Sequence, residues 1–479
     1  MEKFRKYFTL EFTILSVWVL LWFGLGTHMT ETFNIYKYSS FKDFNFFRSN
    51  LIFYIFLILL IFSIAYKKKS FYLFLSLYPI FGFIGSVTNS NESIYFNLHY
   101  SASLLTLILF INFVNTEKID KKHLFYLIHY STIFILIFYF ILIIAPNLLS
   151  KISNFALSGR GEFAVTLKLS ENATFYFPQN SNGASRIIII LTVFFTCIYS
   201  FLIKKKINII SFSLLIIIII FASLNIFYES KLNILFFIIA NLIIFLRNGN
   251  YKNKLYTFSL ILIITLPFLI NFVFQKNFDI AKSRLLSSEE GFFVFYNTNT
   301  YKLNSNNLNL DKLDKFDYNK LDLSNINKIC TNFDTSLDKF FSGRICGWEI
   351  LIKLYFQDFK FFGNGFFEDR RVLKSVQKIS SNSYIFALFN AGIVSFFVLI
   401  IFYVSIFFKM IKSCTIIKKI DNCKIIPLYY ILLTGYLIVR SFFEDTLSFI
   451  SVDFLLIINC IVFYNYFLET SINLAKKRL

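Results

Sequence analysis

Long apolar runs, broken by short polar clusters, extend over most of the chain. A hydrocarbon core about 30 Å thick takes roughly 20 residues of apolar helix. Runs of that kind occupy residues 9–26, 49–66, 71–87, 98–115, 124–145, 184–203, 207–227, 231–246, 255–274, 383–408, 425–442 and 449–468. The pattern predicts an all-α polytopic membrane protein with about 12 transmembrane helices.

The polar clusters between the runs set an expected orientation. Every second connection is lysine-rich, as at Lys67 to Lys69, at Lys118, Lys121 and Lys122, and at Lys204 to Lys206. Arg247, Lys252 and Lys254 follow, then Lys409, Lys412, Lys418, Lys419 and Lys424, and finally Lys476, Lys477 and Arg478. With Lys3, Arg5 and Lys6 these predict that both termini lie on the inner side of the membrane, because loops held inside concentrate cations. No small-residue cleavage site follows the basic start, so the first run is expected to remain as a span. Two outer connections are long, 146–183 and 275–382, the second lying between spans 9 and 10. The chain therefore divides into 1–274, with nine spans and the outer loop at 146–183; 275–382, a large outer loop; and 383–479, with three spans and a basic inner tail.

Composition changes this picture little. The chain has 479 residues, 56% of them hydrophobic, with 67 Phe. Its net charge of +20 would suit a nucleic-acid partner, but the excess lies in the inner clusters, which excludes that class. Six Cys and four His show no disulfide framework or metal-ligand spacing, so no cofactor or metal is expected. Cys330 and Cys346 both fall in the outer loop, where a disulfide is one open alternative.

Arginine departs from the trend. Of eleven Arg, only Arg5, Arg247 and Arg478 fall inside; Arg48, Arg160, Arg186, Arg284, Arg344, Arg370, Arg371 and Arg440 fall outside or at outer helix ends. Guanidinium forks bind phosphate oxygens bidentately. Arg186, Lys231 and Arg440 stand at outer ends of spans, where a cation needs a partner or a task. Snorkelling to headgroups is the plain alternative; for the set, a shared anionic ligand is expected.

The stretch "SGRICGWEILIKLYFQ" predicts an amphipathic helix near 343–358, capped by Ser342, with Arg344 and Trp348 on one face. It is too charged to span and is expected at the membrane interface, with Trp348 as anchor. Gly363 and Gly365 predict a tight turn, and "SSNSYIFALFNAG" leads into the next span.

At these residues the chain resembles the superfamily of O-antigen polymerases and O-antigen ligases. Arg344, Trp348, Gly363 with Gly365, Asn382 and Gly392 stand in the family's order, in a resemblance that covers about 180–460 and is strongest over 342–395. "NSNGASR" at Asn180 to Arg186 and "YESKLNI" at the start of span 8 are also similar. The chain departs from the pattern at Ser380 and Ser381, where ligases carry His beside Asn, and at Lys231, where Arg is usual. The resemblance implies an outer-face glycosyltransferase that moves a glycan from undecaprenyl diphosphate to an acceptor hydroxyl. Arg344, Arg186, Lys231 and Arg284 would clamp the diphosphate, with Arg160 a further candidate; Trp348 and Asn382 would contact substrate. Glu444 or Asp445 would take the acceptor's proton, with Glu349 a weaker candidate because Lys353 pairs with it. Membrane lipids, a flippase and a chain-length regulator are the implied partners. A polymerase is expected, with a ligase, and then a lipid-oligosaccharide flippase or other transporter, as alternatives.

Overall fold

The computed structural model describes residues 2–22, 52–64, 70–89, 94–115, 120–149, 162–170, 173–205, 209–227, 231–248, 254–285, 344–375, 382–418, 425–444 and 452–476. The helices are α1 (Glu2–Leu21), α2 (Ile52–Ile64), α3 (Leu77–Asn89, entered by a 3-10 turn at Phe71–Ser76), α4 (Ile94–Val114) and α5 (Lys121–Leu149). After a β-hairpin come α6 (Ser181–Lys205), α7 (Ile209–Phe227), α8 (Lys231–Asn248), α9 (Lys254–Leu285), α10 (Arg344–Gln357) and α11 (Glu368–Ser375). The chain ends in α12 (Ser383–Lys418), α13 (Ile425–Phe443) and α14 (Val452–Lys476).

Eight helices among the described residues are long and apolar enough to cross a membrane. Shorter apolar helices at Glu11–Leu21, Ile52–Ile64, Leu232–Arg247 and Thr257–Phe272 cover the other four runs. This is the make-up of a helical membrane protein, in which each helix satisfies its own backbone hydrogen bonds away from water. The windows in α4, α6 and α14 are 83%, 72% and 78% buried, against 33% in α7, so the first three form the centre. The outward face carries lipid-compatible side chains such as Ile64, Phe134, Ile209 and Phe272.

Three expectations need correction. The 146–183 segment, expected as an outer loop, contains an antiparallel hairpin, β1 (Glu162–Ser170) and β2 (Ala173–Asn180), with Val165 opposite Phe177 and Lys168 opposite Thr174. Its cause is legible in "EFAVTLKLS", where Phe163, Val165, Leu167 and Leu169 alternate with less apolar residues at the strand period. Helix α9 does not stop at residue 274 but runs to Leu285, carrying Pro267 within it. Helix α12 also runs on past residue 408, to Lys418.

The segment before α12 packs onto the bundle through helix α10. It buries Cys346, Ile350, Leu351 and Tyr355 against Val372 and Leu373 of α11 and Leu388 and Phe389 of α12. Its other side leaves Ile352 and Phe356 exposed. The turn beyond it inserts between α3 and α12: Asn364 and Gly365 donate backbone N–H groups to the carbonyls of Phe389 and Asn390, both at 2.9 Å. Those carbonyls are available because Gly392 breaks the helix there, with φ 82° and ψ 178°. A Cβ on Gly392 would lie 2.0 Å from the Phe361 carbonyl oxygen, so the close approach requires glycine.

Candidate functional site

Three separated pieces of sequence meet on the last turn of α13. The Arg344 guanidinium, in the first turn of α10, donates to the Phe443 carbonyl, and its Nη2 lies 3.3 Å from Glu444 Oε1. Asn382 precedes α12 and caps it, its Oδ1 accepting from the backbone N–H groups of Tyr384 and Ile385 at 2.9 and 3.0 Å. Its Nδ2 donates to the Phe442 carbonyl at 2.8 Å, and Ser383 Oγ donates to the Glu444 carbonyl at 2.9 Å. The carbonyls of Phe442, Phe443 and Glu444 lie at a helix C-terminus, where no intrahelical donor is left for them. Arg344, Asn382 and Ser383 fill that need. The Arg344 and Glu444 side chains remain 21% and 23% exposed, so their charges face a partly open environment.

One turn back along α13 lies a second charged group, this one enclosed. Arg440 Nε is 3.0 Å from Asp453 Oδ2, and Arg186 Nη1 is 2.8 Å from the same oxygen. All three side chains are buried. The network continues from Arg440 Nη1 to Tyr436 Oη (3.3 Å), from that hydroxyl to Asn233 Oδ1 (2.6 Å), and from Asn233 Nδ2 to Ser185 Oγ (2.8 Å). Ser185 in turn bonds Asn225. Five helices, α6, α7, α8, α13 and α14, are thereby joined near one end of the bundle. The two groups share the turn itself, since the Glu444 N–H donates to the Arg440 carbonyl at 2.8 Å.

The expected site residues divide accordingly. Arg344, Asn382 and Glu444 come together, and Trp348 sits half-buried one turn along α10 from Arg344. Arg186 belongs to the enclosed group. Its guanidinium is taken up by Asp453, so it is not a cation held open at the surface. Lys231 is the first residue of α8 and Arg284 lies in the last turn of α9. Arg160, Asp445, Ser342, Ser380 and Ser381 lie outside the described residues. Glu349 pairs with Lys353 four residues on, which accounts for it structurally. Cys346 is disulfide-bonded, and Cys330 lies outside the described residues.

Asp453, Tyr436, Asn233 and Asn225 were not anticipated as site residues. The signal for Asp453 was present, as an acid in the first turn of an otherwise apolar span, a placement that needs a cationic partner. Gly363 and Gly365 serve the docked turn. Asn89 Nδ2 donates to the Gly363 carbonyl at 2.8 Å, and Ser86 Oγ accepts from the Phe366 N–H at 2.9 Å.

Compared with protein-family models, curated proteins and solved structures, the chain matches none.

Proposed function

We propose that this protein is an integral membrane glycosyltransferase of the O-antigen polymerase type, joining lipid-linked repeat units at the outer face of a bacterial cytoplasmic membrane. In this reading all twelve apolar helices cross the membrane and both termini lie inside. The observation that carries it is the convergence of Arg344, Asn382 and Glu444 on one partly exposed helix end. A cation and a carboxylate meet there. The bonded Cys346, two residues from Arg344, accords with an oxidising outer compartment.

The chemistry follows from those groups. The acceptor hydroxyl oxygen attacks the anomeric carbon of the donor glycan. The bond from that carbon to the diphosphate oxygen breaks, and its electron pair leaves with undecaprenyl diphosphate. The hydroxyl proton passes to the Glu444 carboxylate, within hydrogen-bond reach of a substrate held on Arg344. Arg344 stabilises charge growing on the leaving diphosphate, with Lys231, Arg284 and Arg160 as further candidates for its recognition. No metal enters this scheme. Asn382 fixes the turn that carries Glu444, and Trp348 offers a flat apolar surface for sugar or lipid. A flippase that delivers the lipid-linked units and a regulator of chain length are the protein partners this role calls for.

The test is chain extension in vitro. Purified protein in nanodiscs, given undecaprenyl-diphosphate-linked repeat units, is expected to produce a ladder of lengths in the presence of EDTA. Failure to extend the units, with transfer of preformed polymer to a lipid A-core acceptor, would replace the polymerase with a ligase. The buried Arg186–Asp453–Arg440 group favours one other reading, since charges enclosed between helices also occur in transporters. Movement of the lipid-linked unit across the bilayer without extension would support it.

A further inference from the structure

Lys409 stands where the apolar run of α12 ends, and its partners among the described residues are neutral. Its ammonium donates to Tyr72 Oη at 2.6 Å and to Asn465 Oδ1 at 2.8 Å, and lies 4.8 Å from the centre of the Tyr72 ring. The amide of Asn465 is fixed in this role. Asn115 donates its Nδ2 to the Ile111 carbonyl at 2.7 Å, so its Oδ1 accepts from Asn465 Nδ2 and leaves Asn465 Oδ1 to Lys409. Lys121, at the start of α5, has its own acid in Glu469 at 2.7 Å. Lys409 therefore forms no ion pair among the described residues. A lysine carries three donors and a tyrosine hydroxyl one. Two ammonium hydrogens are spent, and Tyr72 Oη serves as an acceptor. One ammonium hydrogen and the Tyr72 hydroxyl hydrogen are thus left without an acceptor among the described residues, on atoms 2.6 Å apart. A cation at the end of a span calls for a partner or a task.

We propose that Lys409 and Tyr72 bind the phosphate of an anionic phospholipid. A phosphodiester presents two oxygens that share one negative charge. They accept from the ammonium and the hydroxyl, and the charge balances that of Lys409. The position of the two residues favours a lipid over a soluble phosphate. Tyr72 stands at the start of the apolar run 71–87 and Lys409 just past the run 383–408, so both lie at headgroup level when these helices cross the membrane. Their chain neighbours Phe71 and Phe408 are 63% and 65% exposed and offer apolar surface to acyl chains. Lys409 itself is half-buried, so the phosphate approaches from outside the bundle and needs no enclosed cavity. Asn465 stands twelve residues beyond Asp453 on α14, about 18 Å of helix, which separates this site from the arginine group. In the expected orientation it faces the inner leaflet, where basic pockets between helices hold anionic headgroups. The bound lipid ties α12 to the turn that enters α3, whether or not the protein transfers glycan.

Two measurements on the purified protein test the site. Thermal melting in nanodiscs compares phosphatidylcholine alone with phosphatidylcholine containing phosphatidylglycerol, and the anionic lipid is expected to raise the melting temperature. Apparent affinity for phosphatidylglycerol is read from native mass spectra across a titration in detergent. Lys409→Gln is expected to weaken it at least ~10-fold, the loss of a charged hydrogen bond. Tyr72→Phe, which keeps the ring and removes the hydroxyl, should weaken it less. Lys412→Gln, at an exposed lysine on the same helix, should bind as the wild type does. An equal loss in Lys412→Gln would show only diffuse attraction between charges and overturn the site. So would an unchanged affinity in folded Lys409→Gln and Tyr72→Phe, or no rise in melting temperature with the anionic lipid. Inorganic phosphate added to discs of phosphatidylcholine alone is expected to leave the melting temperature unchanged. A rise there would assign the site to a soluble phosphate and overturn the lipid.

Discussion

At the scale of single residues, Arg344 is the point on which the account turns. Its guanidinium bonds a main-chain carbonyl and a carboxylate together, an arrangement that needs a fork of donors and that a lysine cannot copy. Arg344→Ala is expected to lower transfer by about 10²–10³-fold, the usual effect of removing one preorganised donor, with protein abundance near normal. Arg344→Lys should recover little of that loss. Glu444→Gln keeps the size of the side chain and removes the base, so it should leave substrate binding intact and abolish turnover. Both are read by initial rates of chain extension at saturating substrate. A Glu444→Gln enzyme with unchanged rate would leave the proton to another group.

At the scale of elements, the docked turn at 359–367 is what holds α10, and so Arg344, over the end of α13. The turn sits in the break of α12 at Gly392, where Asn390 also accepts from the Asp369 N–H and donates to Asp369 Oδ1. Gly392→Ala would strain a positive-φ position and push a methyl group into the Phe361 carbonyl. A loss of ~2–4 kcal/mol in stability is expected, measured by denaturation in detergent, together with loss of transfer. Gly435→Ala on α13 is the control, because an added Cβ there meets nothing within 4 Å. The glycine pattern in "FFGNGFF" announced a turn, yet nothing local to that stretch told of its partners. Ser86 lies 280 positions from Phe366, and the bond between them exists only once α3 and α12 have packed. The hairpin is the reverse case. Its alternating residues stood in plain view within a segment otherwise read as loop.

At the scale of the whole molecule, the helices were legible because each apolar run carries its own signal: eight of the runs form helices long and apolar enough to cross a membrane, and four form shorter apolar helices. Pairing between runs has no such signal. Arg186 and Asp453 stand 267 positions apart, and Arg344 and Glu444 stand 100 apart, so the partners emerged only from the packed bundle. Of the arginines expected on the outer side, Arg186, Arg344 and Arg440 come together at one end of α13, and the expected polarity puts that end outside. Impermeant thiol labelling in intact spheroplasts, in a background freed of native cysteines, tests that polarity. Lys353→Cys is expected to label and Lys122→Cys to stay silent; the reverse pattern would invert the topology. The most direct test of the central claim is electrophoresis of the surface glycan from cells whose only copy carries Arg344→Ala at normal abundance. The account predicts core bearing a single repeat unit and no long-chain ladder. An unchanged ladder, or long polymer retained on the lipid carrier above bare core, would contradict it.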